Sequence, residues 1–423
     1  MATPNKRIVI CSEGTWDNFG SNIPTNVMKI VQSINPLDAK GRHQVVFYDQ
    51  GIGTYNVFDK WLGRLIGKGV EQSILNAYRF IATNYEAGDE LYFYGASRGA
   101  YTARSLAGLL HTVGLLPKDE LHTLPTAYKY YRTTPENRDS QTYAQYTKPD
   151  ISLMAVWATV GATGAPTPII NRLTKSLVGS VNTHLSPEIK NAYQALAVDE
   201  KRAQFQPALW TGNINSDQTV EQVWFAGVHT DVCGGYTESG LSDIALLWMV
   251  QKSKELGLSF NESYLNNTSK VKADILGELH DSYSFTYRWL DKMGVKNYLR
   301  NIEGNEKNAA INLSMHESVL ERINKVDGYY PANIAHDNSA SQTNDRRNFS
   351  RLLTEKLQGA IQIDKENLTC EILDYSPSGG VRVQCNDDLD KSGSLTISSS
   401  RFAKTMATCV WKRDNVYGLR FAA

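Results

Sequence analysis

The sequence predicts an α/β fold, a mostly parallel sheet covered by helices on both faces, followed by a small all-β domain. Three observations carry this. Short apolar, β-branched runs recur along the first three quarters of the chain, with helical patterns or loops between them. Those runs are near-continuously apolar, as strands buried on both faces are. The composition then turns polar over Asn333–Asp345, and beyond it come short strand-like runs separated by turn residues.

The strand candidates in order are Arg7–Ser12 (RIVICS), His43–Gln50 (HQVVFYDQ), Asp89–Gly95 (DELYFYG), Ser152–Val160 (SLMAVWATV) and Val220–Val228 (VEQVWFAGV). Gly69–Tyr85 places Val70, Ile74, Ala77, Phe80 and Ile81 on one face at helical spacing, and Ala100–Leu110 continues as a second helix. Two segments read as cap insertions over the sheet: the tyrosine-rich Pro117–Asp150, and Met249–Asn312 with its aromatic stretch Tyr283, Phe285, Tyr287 and Trp289. Those aromatics either line a substrate site or pack the cap onto the body. The expected division is a first domain over 1–332, a linker over 333–345 and a β-barrel over 346–423. The barrel strands are Leu368–Leu373, Gly380–Cys385, Ser394–Ser398, Ala407–Trp411 and Tyr417–Phe421.

Bulk properties exclude several classes. Hydrophobic residues make up 41% of the 423 and charged ones 21%, which is a globular balance and not a disordered one. The 44 Lys+Arg equal the 44 Asp+Glu, so no global field would hold a nucleic-acid polymer, and membrane contact is expected only as a local, peripheral one. The five cysteines, Cys11, Cys233, Cys370, Cys385 and Cys409, are odd in number and never spaced as CxxC, which reads as reduced thiols without metal. The opening MATPNKRIVICSEGTW lacks a signal-peptide pattern, and no 18-residue apolar run spans a membrane. A bacterial cytoplasmic location, with or without membrane association, is the expectation; secretion by a route needing no N-terminal signal stays open.

The segment DELYFYGASRGAYTARSLAG carries the chemistry. Gly95-Ala96-Ser97-Arg98-Gly99 is a G-x-S-x-G between a predicted strand and a predicted helix, the strand–turn–helix of a nucleophile elbow, and so of an α/β-hydrolase-like fold. The glycines let backbone approach without Cβ clashes, the Ser97 hydroxyl is exposed, and the Arg98 N–H can bind a developing oxyanion. A second donor is expected from the loop Cys11–Asn18, with Gly14 and Thr15 as candidates. An incidental serine on a tight turn would share the spelling, but not the context.

A serine hydroxyl needs a base. Of eight histidines, His229 follows the strand Val220–Val228 at its carboxyl end, where α/β sheets place their chemistry; His316 is the rival. The acid is expected on a strand end between the two, where Ser152–Val160 offers Ala158 after Trp157. Asp231, two residues after His229, is the candidate substitute acid, unless it only shapes the glycine-containing loop.

The stretches GASRGAYTAR, VWATVGATG, AYQALAVDEKRAQFQPALW, VWFAGVHTDVCGGY and GLSDIALLWM together resemble, in order, the type VI secretion phospholipase-effector hydrolase domain over roughly residues 5–330. The resemblance implies Ser97 as nucleophile and His229 as base. The family acid lies in a W-D-T-V motif, here Trp157-Ala158-Thr159-Val160, so the acid position holds alanine, through either a state-trapping substitution or a divergence. A phospholipid or other carboxylic-ester substrate is implied, with impaired catalysis in this chain. The alternative is a catalytically silent module that binds lipid or a partner.

The tail supplies Arg346, Arg347 and Arg351 as an R-x-x-x-R run, then Asp374, Ser376 and Gly379 within D-x-S-x-x-G, and closes on VYGLRF. Together these resemble a PilZ domain. The resemblance implies cyclic di-GMP as an allosteric ligand: arginine forks on phosphates and guanine faces, Asp374 on a guanine edge, Ser376 on a phosphate. No cofactor or metal is expected for catalysis itself.

Overall fold

The computed structural model describes residues 5–14, 23–51, 62–160, 183–202, 205–282, 310–331, 333, 352–363, 366–376, 380–387, 389, 395–399, 402–413 and 415–421. It divides into two compact units, residues 1–327 and 328–423.

The first unit is built on a seven-stranded sheet whose pairings are all parallel: β1 (Arg7–Ser12), β2 (Gln44–Asp49), β3 (Glu90–Ala96), β4 (Ile151–Trp157), β5 (Asn191–Ala197), β6 (Thr219–Phe225) and β7 (Leu313–Met315). Their spatial order is β2-β1-β3-β4-β5-β6-β7. The chain leaves β1 to one side for β2 and returns to its other side for β3. That reversal opens a crevice at the carboxyl ends of β1 and β3, the place where open α/β sheets bind ligands.

The helices are α1 (Asn26–Ser33), α2 (Leu62–Asn84), α3 (Arg98–Val113), α4 (Leu124–Arg132), α5 (His229–Cys233), α6 (Gly240–Glu255), α7 (Glu262–Leu265) and α8 (Glu317–Lys325). Alternate strand residues feed two cores. Ile8, Ile10, Leu91, Phe93, Met154 and Val156 pack under α2, α3 and α4, while Val9, Cys11, Tyr92, Tyr94, Ala155 and Phe225 pack under α1 and α6. This is the α/β-hydrolase-like arrangement that the apolar runs predict. Sequence periodicity misses two of its strands, β5 and β7. In β5, NAYQALA, the alanines fill a doubly buried strand without the β-branched signature.

The two expected insertions differ. Within 117–150, α4 buries Leu124, Ala127 and Tyr128 in the core shared with α3, so its tyrosines pack the segment onto the body. Residues 249–255 continue α6 without a break, and the aromatic stretch 283–289 lies outside the described residues. Among the described residues no helix is long and apolar enough to cross a membrane.

The second unit is a closed antiparallel barrel, in the order β10-β13-β12-β11-β8-β9. Its strands are β8 (Leu352–Ile363), β9 (Glu366–Ser376), β10 (Gly380–Gln384), β11 (Leu395–Ser399), β12 (Phe402–Arg413) and β13 (Val416–Phe421). Ile361, Ile372, Val381, Val383, Ile397 and Leu419 fill its interior. β8 is the strand the sequence reading lacks; it follows Arg351 directly.

Candidate active site

Ser97 stands between β3 and α3 with φ 56° and ψ −115°, a left-handed backbone that a non-glycine residue adopts at a cost of about 1–3 kcal/mol. Its surroundings enforce that turn. A Cβ on Gly95 would lie 2.5 Å from the Gly99 carbonyl oxygen, and a Cβ on Gly99 would lie 2.0 Å from the Ser12 carbonyl oxygen. Both glycines therefore let α3 start against the ends of β1 and β3. Gly14, just past the end of β1, comes near but less tightly: a Cβ there would sit 3.3 Å from Ser97 Cβ and 3.9 Å from Ser97 Oγ. Gly14 and Ser97 thus face each other across the switch point. Arg98 opens α3, with its amide at the helix N-terminus. Thr15 lies outside the described residues.

His229 begins α5 beyond β6 and is buried. Its Nε2 lies 3.9 Å from Cys233 Sγ, one helical turn on. Cys233 Sγ in turn lies 3.7 Å from the Trp157 carbonyl oxygen, which accepts the Ser97 N–H at 2.9 Å. The Trp157 carbonyl at the end of β4 so gathers the elbow and the histidine helix at one point. Burial pushes the Cys233 thiol well up, with Glu13 adding to the effect, so the sulfur is a neutral spacer. Asn26 of α1 fixes α5 from below, its Nδ2 donating to the Val232 and Ser242 carbonyls at 2.9 Å each.

Ala158 follows Trp157 at the end of β4 with φ 43°, again left-handed. Its N–H donates to the Ala195 carbonyl at 2.7 Å. Among L residues it is aspartate and asparagine that tolerate this conformation, and alanine gains nothing from it.

Asp231 is placed differently from the expectation of a substitute acid. Its carboxylate accepts the Val228 N–H at 3.0 Å and the His280 N–H at 3.2 Å, and pairs with His280 Nδ1 at 2.6 Å, while Tyr236 stacks on the His280 ring. It caps α5 and holds His280; its hydrogen bonds do not reach His229. His316, the rival base, caps α8: its Nδ1 accepts the Ser318 N–H at 3.2 Å, and its ring stacks on Phe225.

A carboxylate that meets the His229 main chain is not among the site residues expected from the sequence, although it lies in the stretch AYQALAVDEKRAQFQPALW. Glu200, just beyond β5, is buried and accepts the His229 N–H at 3.1 Å. It also accepts the Arg202 N–H at 2.8 Å and pairs with Arg202 Nε and Nη2 at 2.9 and 2.8 Å. Arg202 lies over Phe205, whose ring meets the His229 imidazole edge-on at 4.8 Å. Burial works against the ionised Glu200, but Arg202 and the nearby His229 outweigh it and bring its pKa down to about 2.

Glu13, beside Gly14, is a second buried carboxyl. Thr25 Oγ1 donates to its Oε1, and Tyr48 Oη does so at 3.4 Å. Burial dominates these hydrogen bonds and raises its pKa to about 7. A raised carboxyl pKa favours the folded state when protonated. Its contribution is complete below the unfolded value near 4.5 and is lost as pH rises to about 7. The span corresponds to on the order of 3 kcal/mol. Glu13→Gln keeps the acceptor for Thr25 and is expected to flatten the loss of stability between about pH 4.5 and 7. Urea unfolding at several pH values measures this, and parallel curves for the two proteins would contradict it.

In the barrel, Arg346, Arg347, Arg351 and Gly379 lie outside the described residues. Asp374 and Ser376 lie on β9, where Asp374 is in register with Arg382 of β10 and with Leu353 of β8. Among the described residues, no three His, Cys, Asp or Glu side chains gather as metal ligands would.

The family model for the type VI secretion phospholipase effector Tle1-like catalytic domain matches residues 6–252, and the PilZ-domain model matches residues 345–423. An uncharacterised Saccharomyces cerevisiae protein, YEL023C, is 31% identical over 144 residues, 31% of this chain and 21% of that protein. An uncharacterised Pseudomonas aeruginosa structure is 19% identical with a TM-score of 0.34, covering 60% of this chain and 46% of that one. The Tle1 effector bound to the VgrG spike of a type 6 secretion system is 19% identical with a TM-score of 0.33, over 55% and 52% of the two chains. The carboxylesterase Cest-2923 of Lactobacillus plantarum is 15% identical with a TM-score of 0.33, over 61% and 89%. The chain thus spans about a fifth of the yeast relative and about half of the first two structures. By the match over residues 6–252 the chain belongs to the Tle1-like phospholipase-effector catalytic-domain family of type VI secretion, with a PilZ domain after it.

Proposed function

We propose that the chain is a serine hydrolase of lipid carboxylic esters whose activity is set by cyclic di-GMP bound to the PilZ domain. The observation that carries this is Ser97 on a left-handed turn at the switch point of the sheet, with Gly14 on one side and the His229–Cys233 helix on the other. Ser97 Oγ attacks the ester carbonyl carbon as His229 takes its proton. The carbonyl electron pair moves onto oxygen, where the Arg98 and Gly14 amides, with Thr15 from the same loop, receive it. The C–O bond then breaks, His229 returns the proton to the departing alcohol, and water releases the acyl group from Ser97 by the same steps. Ala158 at the family's acid position implies a slowed enzyme, because His229 lacks that carboxylate. Lipid substrate implies peripheral contact with a membrane surface, local in a chain of balanced charge.

The test is covalent labelling of Ser97 by a fluorophosphonate, together with fatty-acid release from phospholipid vesicles. Ser97-specific labelling that Ser97→Ala and His229→Ala both remove is expected. Labelling absent from every form turns the reading toward a silent lipid- or partner-binding module, which Ala158 favours. For the second part, calorimetric titration of the intact chain with cyclic di-GMP is expected to show saturable binding, reduced by Arg347→Ala or Arg351→Ala. A titration without heat removes the nucleotide from the proposal.

A further inference from the structure

We propose that Glu200 is a positioning residue of this chain, holding the His229 main chain and charge-stabilising its imidazole where position 158 carries alanine. The inference rests on the reading of Ser97 and His229 as nucleophile and base.

Four observations converge on it. Ser97, Glu200 and His229 occur in the chain order of an α/β-hydrolase triad. Glu200 follows β5, and β5 lies directly beside β6, which delivers His229. The connection is tied down: the Val198 N–H donates to the Phe225 carbonyl at 3.0 Å, the Asp199 N–H to the Gly227 carbonyl at 3.1 Å, and the Gly227 N–H to Asp199 Oδ2 at 2.7 Å. These bonds run the segment after β5 along the segment after β6 and bring the Glu200 carboxylate to the His229 amide at 3.1 Å.

Burial makes that charge matter. Glu200 is 2% exposed, so its field at the imidazole is weakly screened. Arg202 and the Ser282 hydroxyl, at 3.2 Å, hold the carboxylate ionised and fixed, as an acid that orients a base must be. Arg202 also offsets part of its charge, so the influence on His229 is smaller than that of an unpaired aspartate. Two other groups near His229 are otherwise engaged. Cys233 is a neutral thiol, and Asp231 is held by His280.

The experiment uses the full chain. The His229 imidazole is titrated by nitrogen-15 NMR in Ser97→Ala, with and without Glu200→Gln. Ser97 labelling by fluorophosphonate is followed against pH in the parent, Glu200→Gln, Glu200→Asp and the double variant Ala158→Asp/Glu200→Gln. Removing the negative charge disfavours the imidazolium, so Glu200→Gln is expected to lower the His229 pKa by about one pH unit. It is expected to slow labelling about 10-fold and to move the labelling midpoint down in step. Glu200→Asp, which keeps the charge, retains the parent midpoint and serves as the folded reference if Glu200→Gln proves unstable. The double variant regains the lost rate. A purely structural Glu200 would lower the folded fraction and leave both midpoints in place; that result, or a Glu200→Asp midpoint displaced as far as that of Glu200→Gln, overturns the proposal. Absence of Ser97 labelling in all forms overturns the hydrolase reading instead, and the His229 titration then decides the part of Glu200 by itself.

Discussion

Ala158→Asp is expected to raise the rate of Ser97 acylation by about 10²- to 10³-fold. The upper bound is set by what the aspartate of such a triad contributes, about 10⁴ in kcat, through the tautomer and orientation of its histidine. On the proposal for Glu200 the full factor is not expected, because that carboxylate already holds the His229 amide. The substitution suits its site. Position 158 has φ 43°, which aspartate occupies more readily than alanine, and it follows the Trp157 carbonyl that touches both Ser97 N–H and Cys233 Sγ. The opposing term is burial: Ala158 is buried in the apolar core under α1 and α6, and a carboxylate there is stable only when partnered. Thermal stability therefore reports alongside rate. A faster enzyme of unchanged stability means the aspartate has found His229. A parent rate with lowered stability means the carboxylate is unpartnered and Glu200 alone orients the base.

What the sequence revealed of this site follows a physical division. The elbow was legible because its spelling is dictated locally: glycines where Cβ atoms would strike the Gly99 and Ser12 carbonyls, a strand before and a helix after. His229 was legible because it ends an apolar strand, although β6 stops at Phe225 and the histidine opens a short helix of its own. Glu200 lay inside a stretch legible as a motif, AYQALAVDEKRAQFQPALW, but nothing in its spelling says which of Asp199, Glu200, Lys201 and Arg202 turns inward; the pairing of β5 with β6 decides that. β5 itself was hidden because alanine and glutamine carry no strand signature, yet Gln194 is fully buried and bonded to Thr159 and Gln222. In the barrel, five of six strands stood out as alternating runs, whereas LLTEKLQGAIQI of β8 mixes charge and glycine and finds its register only through β9 and β11.

Gly99→Ala is expected to remove Ser97 reactivity almost entirely, by at least about 10²-fold, in a chain that still folds. The added methyl would lie 2.0 Å from the Ser12 carbonyl oxygen and 2.6 Å from the Glu13 carbonyl, both of them backbone atoms that no rotamer change can move. Relief requires α3 to withdraw from the end of β1. Ser12 cannot yield, because it is in register with Asp49 on one side and Gly95 on the other. The Arg98 amide moves with α3, away from Gly14, and a displacement of about 1 Å in such a site costs about 10²-fold in rate. Overpacking costs about 1–3 kcal/mol in stability besides. Gly108→Ala in the same helix separates the two effects. Its methyl meets the Tyr131 side chain of α4, at 2.9 Å from the hydroxyl, so its cost falls on the packing of α4 and not on the elbow, and glycine to alanine inside a helix returns about 1 kcal/mol. The pair should therefore diverge: Gly108→Ala labels at the parent rate, and Gly99→Ala does not. If Gly99→Ala also labelled at the parent rate, the contact between the elbow and β1 would have no part in shaping the nucleophile, and the facing of Gly14 and Ser97 across the switch point would lose its chemical meaning.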